Sequence, residues 1–477
     1  MNLFVFLTSN NYNKLLKNFL SKEFKYTHLW VNGEKIKELS SASKSQGCNS
    51  VICLQTNSKV IDYLNNNIFT KTPLVIYGEL RGDLSQFSLD EISNKIKSWL
   101  ERYINDEVYL RELLYGFFTK FIIVAIINGS VKIIGDHIGY YQLFYYSDTD
   151  FKLYSNMKKN IWIAKASPLK ELEYYPKPSL PSIILENSVN ERTIIGKLEE
   201  LLTKAVLKQM PEKSGIGVMF SGGLDSLILA KILIKLNESF NNEITLITAG
   251  LEGSKDIRRV RAVSSLINLP VEEALFTIDD CALILPEILL TIEKCDTLNV
   301  SLAIPEFYAL KKASEKGLDI VFTGQGADEL FYGYHKYIEA FMKGLNVQKI
   351  SDEDLLSLSI RNLEREMKIA FKFSLELKYP YLDPPLISYV RGIPINYKLK
   401  PVNNVLNSKY ILRVLGEKLG VPSAAVSGKV AMQYGSGAMK AIRKIAYQAL
   451  KNSTAQYKIT EFLKKLYLDV LEKHGYT

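Results

Sequence analysis

The sequence has 477 residues, 47% of them hydrophobic and 23% charged, which excludes a disordered chain, a collagen-like repeat and a disulfide-built miniprotein. A single hydrophobic core rarely serves so long a chain, so two domains are expected. The formal net charge of +9 is mild for this length, and it permits a polyanionic partner such as a nucleotide without requiring one.

No segment of the sequence suits a membrane span. The longest uninterrupted apolar run, residues 121–127, is far shorter than the roughly 20 residues that cross a bilayer. The first residues lack the basic start and the small-residue cleavage site of a signal peptide, so a cytoplasmic location is expected. The four cysteines form no C-x-x-C pair and the four histidines are scattered, so neither a zinc ribbon nor an iron–sulfur site is predicted.

Short apolar runs dominate the first part of the chain. They predict strands at residues 74–77, 121–127, 131–134 and 143–146. Asn128 and Gly129 separate two of these runs and predict a hairpin turn. Residues 89–114 have the apolar spacing of a helix. These signals together predict a sheet-rich α+β domain.

A proline-rich stretch separates the two parts of the sequence. Four of the fifteen prolines fall between residues 166 and 190, and they disfavour both a helix and a central strand there: Pro168, Pro176, Pro178 and Pro181. We therefore place one domain at residues 1–180 and a second at residues 190–477.

Strands and helices alternate after this stretch. The apolar patterns predict strands at residues 216–220, 244–248 and 320–323, and helices at residues 191–209, 226–236 and around 258–267. Beyond about residue 350 the signals are mostly helical. Such alternation is typical of parallel β-α-β units, so a doubly wound parallel sheet is predicted.

A glycine-rich loop, SGGLDS, follows the first strand of that sheet. Apart from one leucine it consists of Ser221, Gly222, Gly223, Asp225 and Ser226. The glycines let backbone N–H groups at a helix start approach an anion, and the serines add hydroxyl donors. A carboxylate beside a phosphate needs a cation between them, and Mg²⁺ suits that role. The loop predicts a nucleotide site, the alternative being a glycine turn in which Asp225 and Ser226 cap the helix.

A second acidic loop follows the strand at residues 320–323. It contains Gly324 and Gln325, and Asp328 opens the next helix. Asp328 is either a favourable charge at a helix start or a second Mg²⁺ ligand facing Asp225 across the sheet edge.

The SGGLDS string, with GQGADELFYGY about a hundred residues later, resembles the synthetase domain of the asparagine synthetase family, which includes the β-lactam-forming synthetases. The resemblance implies an N-type ATP pyrophosphatase fold of the adenine nucleotide α-hydrolase type. It implies ATP and Mg²⁺ as cofactors, formation of an acyl-adenylate with release of pyrophosphate, and attack by an amine. The substrates would be a small carboxylate, aspartate or an analogue, and ammonia or another amine, as in asparagine biosynthesis.

Further segments match the family and imply roles for their residues. Residues 248–256, with Thr248, Gly250 and Leu251, resemble the segment that holds adenine and ribose. Residues 409–413 and 429–437 resemble the lysine-bearing segments near the end of that domain, and Lys429 would stabilise charge on the adenylate and the tetrahedral species. The alternative for Lys429 is a solvated surface lysine.

The string LELKYPYLD, at residues 375–383, resembles the family's Leu-Glu-x-Arg-x-Pro-Phe-Leu-Asp. Glu376 would assist removal of a proton from the incoming amine, or it forms a structural ion pair with Lys378 or Arg365. Gln325 stands where asparagine synthetases often carry Glu and β-lactam synthetases carry Tyr, and a neutral amide cannot act as a base. The amine therefore either arrives deprotonated or relies on Glu376.

The first domain resembles the family's glutaminase domain, which has an N-terminal-nucleophile (Ntn) hydrolase fold, at residues 116–118 and 135–146. That domain uses a terminal cysteine with its own α-amine as base. This sequence begins Met1-Asn2, and Cys48 and Cys53 are internal. The first domain is therefore expected to be an inactive scaffold, and the reaction to be independent of glutamine.

Other functions stay open at this point. The chain is either a ligase for aspartate and ammonia or a related synthetase for another carboxylate or an intramolecular amine. A tRNA-modifying enzyme of the same fold is a third possibility, but the sequence has no basic-aromatic patch and no cysteine pair for sulfur transfer, so no nucleic-acid partner is expected. A homodimer is left open.

Overall fold

The computed structural model describes residues 2–8, 28–31, 34–36, 50–55, 74–80, 95, 98–99, 102–103, 106–116, 118–127, 130–147, 151–159, 172–184, 190–211, 214–402, 405–421, 432–450 and 456–475. The chain divides into two compact units. The first comprises Met1–Pro178 with Leu471–Thr477, and the second comprises Ser179–Val470.

The first unit contains two antiparallel sheets. Its strands are β1 (Asn2–Thr8), β2 (His28–Val31), β3 (Glu34–Ile36), β4 (Ser50–Gln55), β5 (Leu74–Leu80), β6 (Phe118–Ile127), β7 (Ser130–Gly135), β8 (Leu143–Ser147), β9 (Phe151–Ser155) and β10 (Glu173–Tyr175). Seven of them form one sheet in the order β10-β8-β9-β1-β4-β2-β3, and β5-β6-β7 form the other.

The four strands predicted in this unit are confirmed as parts of β5, β6, β7 and β8. Strand β6 carries a continuous apolar run because side chains on both of its faces are buried, from Phe121 to Val124. Strands β6 and β7 pair as a hairpin with Ile127 opposite Ser130. The predicted turn residues between them lie outside the described residues. Helix α1 (Glu107–Leu114) is the described end of the helix predicted at residues 89–114.

The second unit is built on a five-stranded parallel sheet in the order β13-β12-β11-β14-β15. The strands are β11 (Gly215–Met219), β12 (Glu243–Leu251), β13 (Val271–Phe276), β14 (Ile320–Phe322) and β15 (Glu376–Lys378), and a separate antiparallel pair is β16 (Lys400–Val402) with β17 (Val405–Asn407). The predicted parallel sheet is confirmed. The sequence patterns did not predict β13, whose apolar positions are interrupted by Glu272 and Glu273, or β15, which has only three residues.

Helices connect and flank these strands. They are α2 (Glu191–Gln209), α3 (Leu224–Asn237), α4 (Lys255–Val263), α5 (Ile278–Ile292), α6 (Thr297–Glu315), α7 (Ala327–Leu330), α8 (His335–Met342), α9 (Val347–Leu358), α10 (Glu364–Lys372), α11 (Pro384–Gly392), α12 (Ile395–Lys398), α13 (Tyr410–Lys418), α14 (Met432–Gly435), α15 (Ala438–Ala449) and α16 (Gln456–Lys473). Helix α4 ends earlier than predicted because a 3₁₀ turn, Ser264–Leu266, replaces its last turn. Among the described helices, none is long and apolar enough to cross a bilayer.

The central strand of the second unit and the helix after it lie in the hydrophobic core. Ile216 and Val218 of β11 are fully buried, as are Leu227, Ile228 and Leu229 on successive positions of α3. Such a broad buried face is typical of a helix that packs into the core. Because all five strands are parallel, the loops that follow β11, β12 and β14 meet at one edge of the sheet, where ligands bind in open α/β folds.

Candidate active site

The SGGLDS loop connects β11 to α3. The main-chain N–H of Phe220 donates to the carbonyl of Ile247 (2.7 Å), so strand pairing continues up to the loop itself. Gly222 has φ = +66°, a left-handed conformation that favours glycine. A Cβ at this position would lie 3.1 Å from the side chain of Arg259, so helix α4 packs directly against the loop.

The two serines of the loop have different environments. The exposed hydroxyl of Ser221 accepts a hydrogen bond from the Gly223 N–H (3.3 Å). Ser226 is buried, and its hydroxyl donates to the Gly223 carbonyl (3.1 Å). Gly223 begins helix α3 without a side-chain cap, so the capping alternative for Asp225 and Ser226 is not what the structure shows.

The second acidic loop lies against the first. A Cβ at Gly324 would be 3.1 Å from the Cβ of Asp225, so the absence of a side chain at Gly324 helps the two loops to approach this closely. Gly326 has φ = +92° and packs against Leu382. The main-chain N–H of Gln325 donates to the Thr323 hydroxyl (3.2 Å). The loop thereby turns into α7, the short helix that carries Asp328.

Lys409 joins the two acids. Its Nζ lies 2.6 Å from Asp225 Oδ2, 2.7 Å from Asp225 Oδ1 and 2.7 Å from Asp328 Oδ1. Lys409 is only 4% exposed. Burial by itself lowers the pKa of Lys409, but the two carboxylates outweigh burial and raise that pKa above its usual value, so the ammonium stays charged. The structure therefore brings Asp225 and Asp328 to one point at the carboxyl edge of the sheet.

The backbone around Lys409 fixes its ammonium in this place. Lys409 has φ = +56° and its main-chain N–H donates to the Phe331 carbonyl (3.1 Å). A Cβ at Gly333 would lie 2.1 Å from Asp328 Oδ1 and 2.2 Å from Lys409 Cε. Sequence reasoning did not single out Lys409, although its segment matched a lysine-bearing string of the family.

The end of β12 forms the adjoining part of the edge. Thr248 is buried within the strand, and the N–H of Leu251 donates to the Ser436 carbonyl (2.9 Å). A Cβ at Gly250 would lie 2.7 Å from Ser254 Oγ and 3.3 Å from the Ser436 carbonyl. The segment expected to hold adenosine thus lies at the same carboxyl edge as the glycine loop.

Asp256 is a buried carboxylate next to this segment. It is 5% exposed, and its oxygens lie against Gly435, where an added Cβ would come within 2.2 Å of Oδ1. Burial raises the pKa of Asp256 to about 6, partly offset by the charge of Arg259. Sequence reasoning did not single out this residue.

The structure does not bring Glu376 to the acids. It is the first residue of β15 and pairs with Ile320 at the amino end of β14. Three residues of strand, about 10 Å, separate Ile320 from Thr323 at the loop. The Glu376 carboxylate lies 3.3 Å from Lys378 Nζ, as in the ion-pair alternative. The predicted role in amine activation is not supported by this position. Lys429 lies outside the described residues.

The two acids fit a divalent cation. Within the described part of the chain, no group of three His, Cys, Asp or Glu side chains could hold a metal ion by itself. Asp225 and Asp328 instead supply two hard oxygen ligands around a point that a positive group already occupies, namely the ammonium of Lys409. Mg²⁺ often binds through one or two carboxylates together with substrate phosphates. These residues would hold Mg²⁺ if the phosphates of a nucleotide complete the ligand set.

Residues 197–364 and 343–475 match the sequence profile of the family described as asparagine synthase. A Methanocaldococcus jannaschii protein named "Putative asparagine synthetase (glutamine-hydrolyzing) 1" is 27% identical over 395 residues, which cover 70% of this chain and 71% of the relative. The asparagine synthetase (glutamine-hydrolyzing) of Gallus gallus is 29% identical over 236 residues, which cover 48% of this chain and 41% of the relative. The solved structure of NMN synthetase from Francisella tularensis matches with 12% identity and a TM-score of 0.28. The match covers 60% of this chain and 97% of the NMN synthetase chain.

Proposed function

Because the chain belongs to the asparagine synthase family, we propose that it is an AMP-forming ligase that joins ammonia or an amine to a small-molecule carboxylate. The observation that carries the proposal is the convergence of Asp225 and Asp328 on one buried positive group beside a glycine-rich loop. Such a site suits the triphosphate of ATP, whose charge needs both N–H donors and a cation. Aspartate is the carboxylate that the names of the relatives suggest.

The reaction consists of two displacements. A carboxylate oxygen of the substrate attacks the α-phosphorus of ATP, the bond from that phosphorus to the bridging oxygen breaks, and pyrophosphate leaves. The amine nitrogen then attacks the acyl carbon, the carbon–oxygen bond to AMP breaks, and the nitrogen loses a proton. Mg²⁺, when bound, would neutralise charge on the departing pyrophosphate.

The residues of the edge divide this work. Asp225 and Asp328 would hold the cation, while the Ser221 hydroxyl and the N–H groups at the start of α3 would bind phosphate oxygens. Lys429 is proposed to stabilise the charge that develops on the adenylate and on the tetrahedral species. The Gln325 side chain is neutral and cannot take the proton of the amine. An ammonia molecule that arrives deprotonated fits this arrangement.

We propose ammonia, or an amine on the substrate, as the nitrogen donor. In the glutaminase domain of this family, hydrolysis of glutamine uses the thiolate of a cysteine as the nucleophile. Burial raises the pKa of the Cys281 thiol to about 12 and also raises the pKa of Cys295, so these two of the four cysteines favour the protonated thiol over the thiolate at neutral pH. The chain is expected to form amide with ammonium salts and not with glutamine, and release of glutamate from glutamine would contradict this part of the proposal.

The proposal is tested by product analysis of the purified chain. Mg-ATP is offered with ammonium and a panel of carboxylates that includes aspartate and substrates bearing their own amine. We expect AMP and pyrophosphate from one of them, whereas ADP and inorganic phosphate would contradict adenylation. Asp225→Asn and Asp328→Asn are expected to abolish turnover, because each removes a charge that holds the cation. Asp319→Asn is the matched control, since exposed Asp319 precedes β14 at the opposite end of the sheet.

A further inference from the structure

We propose that Lys409 and the divalent cation compete for the same two carboxylates. The metal enters the site together with a phosphate, and this phosphate replaces the carboxylates as the ion-pair partner of the lysine ammonium. This inference rests on the proposed function, because it concerns how the phosphates and the metal of that reaction bind. It assigns to Lys409 the role of a counter-ion that is present before the nucleotide and is exchanged when the nucleotide binds.

The contacts of Lys409 define the competition. Its Nζ makes contacts of 2.6 to 2.7 Å with both carboxylates, Asp225 and Asp328. A magnesium ion held by both acids needs oxygen atoms at about 2.0 to 2.1 Å. The space between the two carboxylates can therefore hold either the ammonium or the metal. Two cations held by the same carboxylate oxygens would lie so close that they repel strongly.

Displacing the ammonium from the two carboxylates is energetically unfavourable unless another anion becomes its ion-pair partner. Lys409 is 4% exposed, and a buried charge that loses its partner is strongly destabilising. The main-chain N–H of Lys409 is held by its hydrogen bond to the Phe331 carbonyl, and Cε packs on Gly333. The ammonium can therefore move only by rotation about the bonds of its own side chain. Its next partner must therefore lie within a side-chain rotation of the acids.

The phosphate loop provides that partner only when it is loaded. Asp225 belongs to the first turn of α3, two residues after Gly223, so a phosphate on the loop lies next to the carboxylate that Lys409 leaves. The ammonium then pairs with a phosphate oxygen and the metal pairs with the acids, which leaves no charge uncompensated. Metal binding and phosphate binding are therefore coupled, and by thermodynamic reciprocity each tightens the other.

The decisive experiment measures Mn²⁺ binding without any phosphate, by electron paramagnetic resonance, in the wild-type chain and in Lys409→Met. We expect the variant to bind Mn²⁺ about tenfold more tightly or better, since the acids are no longer occupied. Lys208→Met is the matched control, because it removes a half-buried lysine that pairs with the buried Asp383 elsewhere in the unit (3.0 Å), and it should leave Mn²⁺ affinity unchanged. Equal Mn²⁺ affinity in Lys409→Met and in the wild type would overturn the proposal.

A second measurement tests the coupling in the wild-type chain itself. Inorganic pyrophosphate is titrated by calorimetry at several free Mn²⁺ concentrations held by a metal buffer. We expect pyrophosphate affinity to rise with free Mn²⁺ in the wild type and to rise much less in Lys409→Gln. This variant is neutral but can still donate hydrogen bonds to both acids, so it serves if Lys409→Met does not fold. Independence of the two ligands in the wild type would also overturn the proposal.

These outcomes are separable from the proposed function. A chain that forms AMP and pyrophosphate but gains no Mn²⁺ affinity in Lys409→Met retains the ligase assignment and loses the exchange. A chain that shows the exchange but forms ADP and phosphate retains the exchange and loses the assignment.

Discussion

The hydroxyl of Tyr381 donates a hydrogen bond of 3.2 Å to the main-chain carbonyl of Asp225. Tyr381 is fully buried, and burial followed by the two nearby acids raises its pKa well above the usual value, so the hydroxyl stays protonated and remains a donor. The string that this segment resembles carries phenylalanine here. The bond ties the turn after β15 to the first turn of α3, and therefore to the phosphate loop.

Tyr381→Phe is expected to lower the free energy of unfolding by about 1 kcal/mol, the usual net value of one hydrogen bond, and to reduce pyrophosphate release by less than about tenfold. The ring is retained, so its packing against Phe331 is unchanged. Denaturant unfolding and a pyrophosphate assay provide the two measurements. Tyr447→Phe, on the exposed face of α15, is the control and should change neither. Unaltered stability of Tyr381→Phe would show that the bond is not formed.

Gly333→Ala is expected to abolish turnover in an otherwise folded chain. The new methyl group would overlap both Asp328 Oδ1 and Lys409 Cε and would push the acid and the lysine apart. Gly196→Ala is the control, because Gly196 lies exposed in α2 and the new Cβ would have no atom within 4 Å apart from its chain neighbours and its own helix backbone. That substitution should stabilise the chain by about 0.5 to 1 kcal/mol and leave turnover intact. Full activity of Gly333→Ala would contradict the arrangement of Asp328 and Lys409 described above.

Glu376→Gln and Lys429→Met are expected to differ sharply. Glu376 lies at the amino end of the sheet, so its substitution should leave both the adenylation and the amine-dependent rates within about twofold of wild type.

Lys429→Met should lower turnover by roughly a hundredfold with little change in ATP affinity, if its charge acts only as the reaction proceeds. Lys440→Met, at an exposed position of α15, is the control. Selective loss of the amine-dependent step in Glu376→Gln would restore the catalytic role inferred from the motif.

The periodic elements could be predicted from the sequence because their signals are local. Helix α2 has the predicted bounds, since its apolar spacing continues from the Asn190 cap to Gln209. The position of the SGGLDS loop between a strand and a helix is likewise predictable, because the residues on either side of it carry the strand and helix patterns. Strand β15 could not be predicted, because three residues carry too little alternation and its place beside β14 depends on pairing across 56 positions of sequence.

The position of a motif residue along its strand is a second limit of sequence reasoning. The string around Glu376 resembles the family motif, but only the register with Ile320 shows that Glu376 stands at the amino end, whereas Tyr379 to Asp383 follow the strand's carboxyl end. For Lys409 the limit is the distance along the sequence between the residues that come into contact. The sequence motif identifies the segment of Lys409, but 184 positions separate Lys409 from Asp225, and no local pattern predicts a contact between residues so far apart.

The buried carboxylate of Asp256 predicts a pH dependence of stability. Its pKa is raised from 3.8 to about 6 by burial, so the folded state binds the proton more tightly than the unfolded state does. Stability from this group is therefore fully present below about pH 4 and is lost as the pH rises through about 6. A residue that cannot titrate removes this loss. Asp256→Asn should gain about 2 to 3 kcal/mol relative to wild type between pH 4 and pH 7.

Denaturant unfolding at a series of pH values measures this difference. Asp256→Ala is the matched variant, because it also lacks a titrating group but changes the packing against Gly435 in a different way. The two variants should differ from each other by a constant amount, while both diverge from wild type as the pH rises from about 4 to about 6 and keep a constant difference from wild type above that. A difference between wild type and Asp256→Asn that stays flat from pH 4 to pH 7 would show that Asp256 is ionised throughout this range, as it would be if a cation from the chain paired with it.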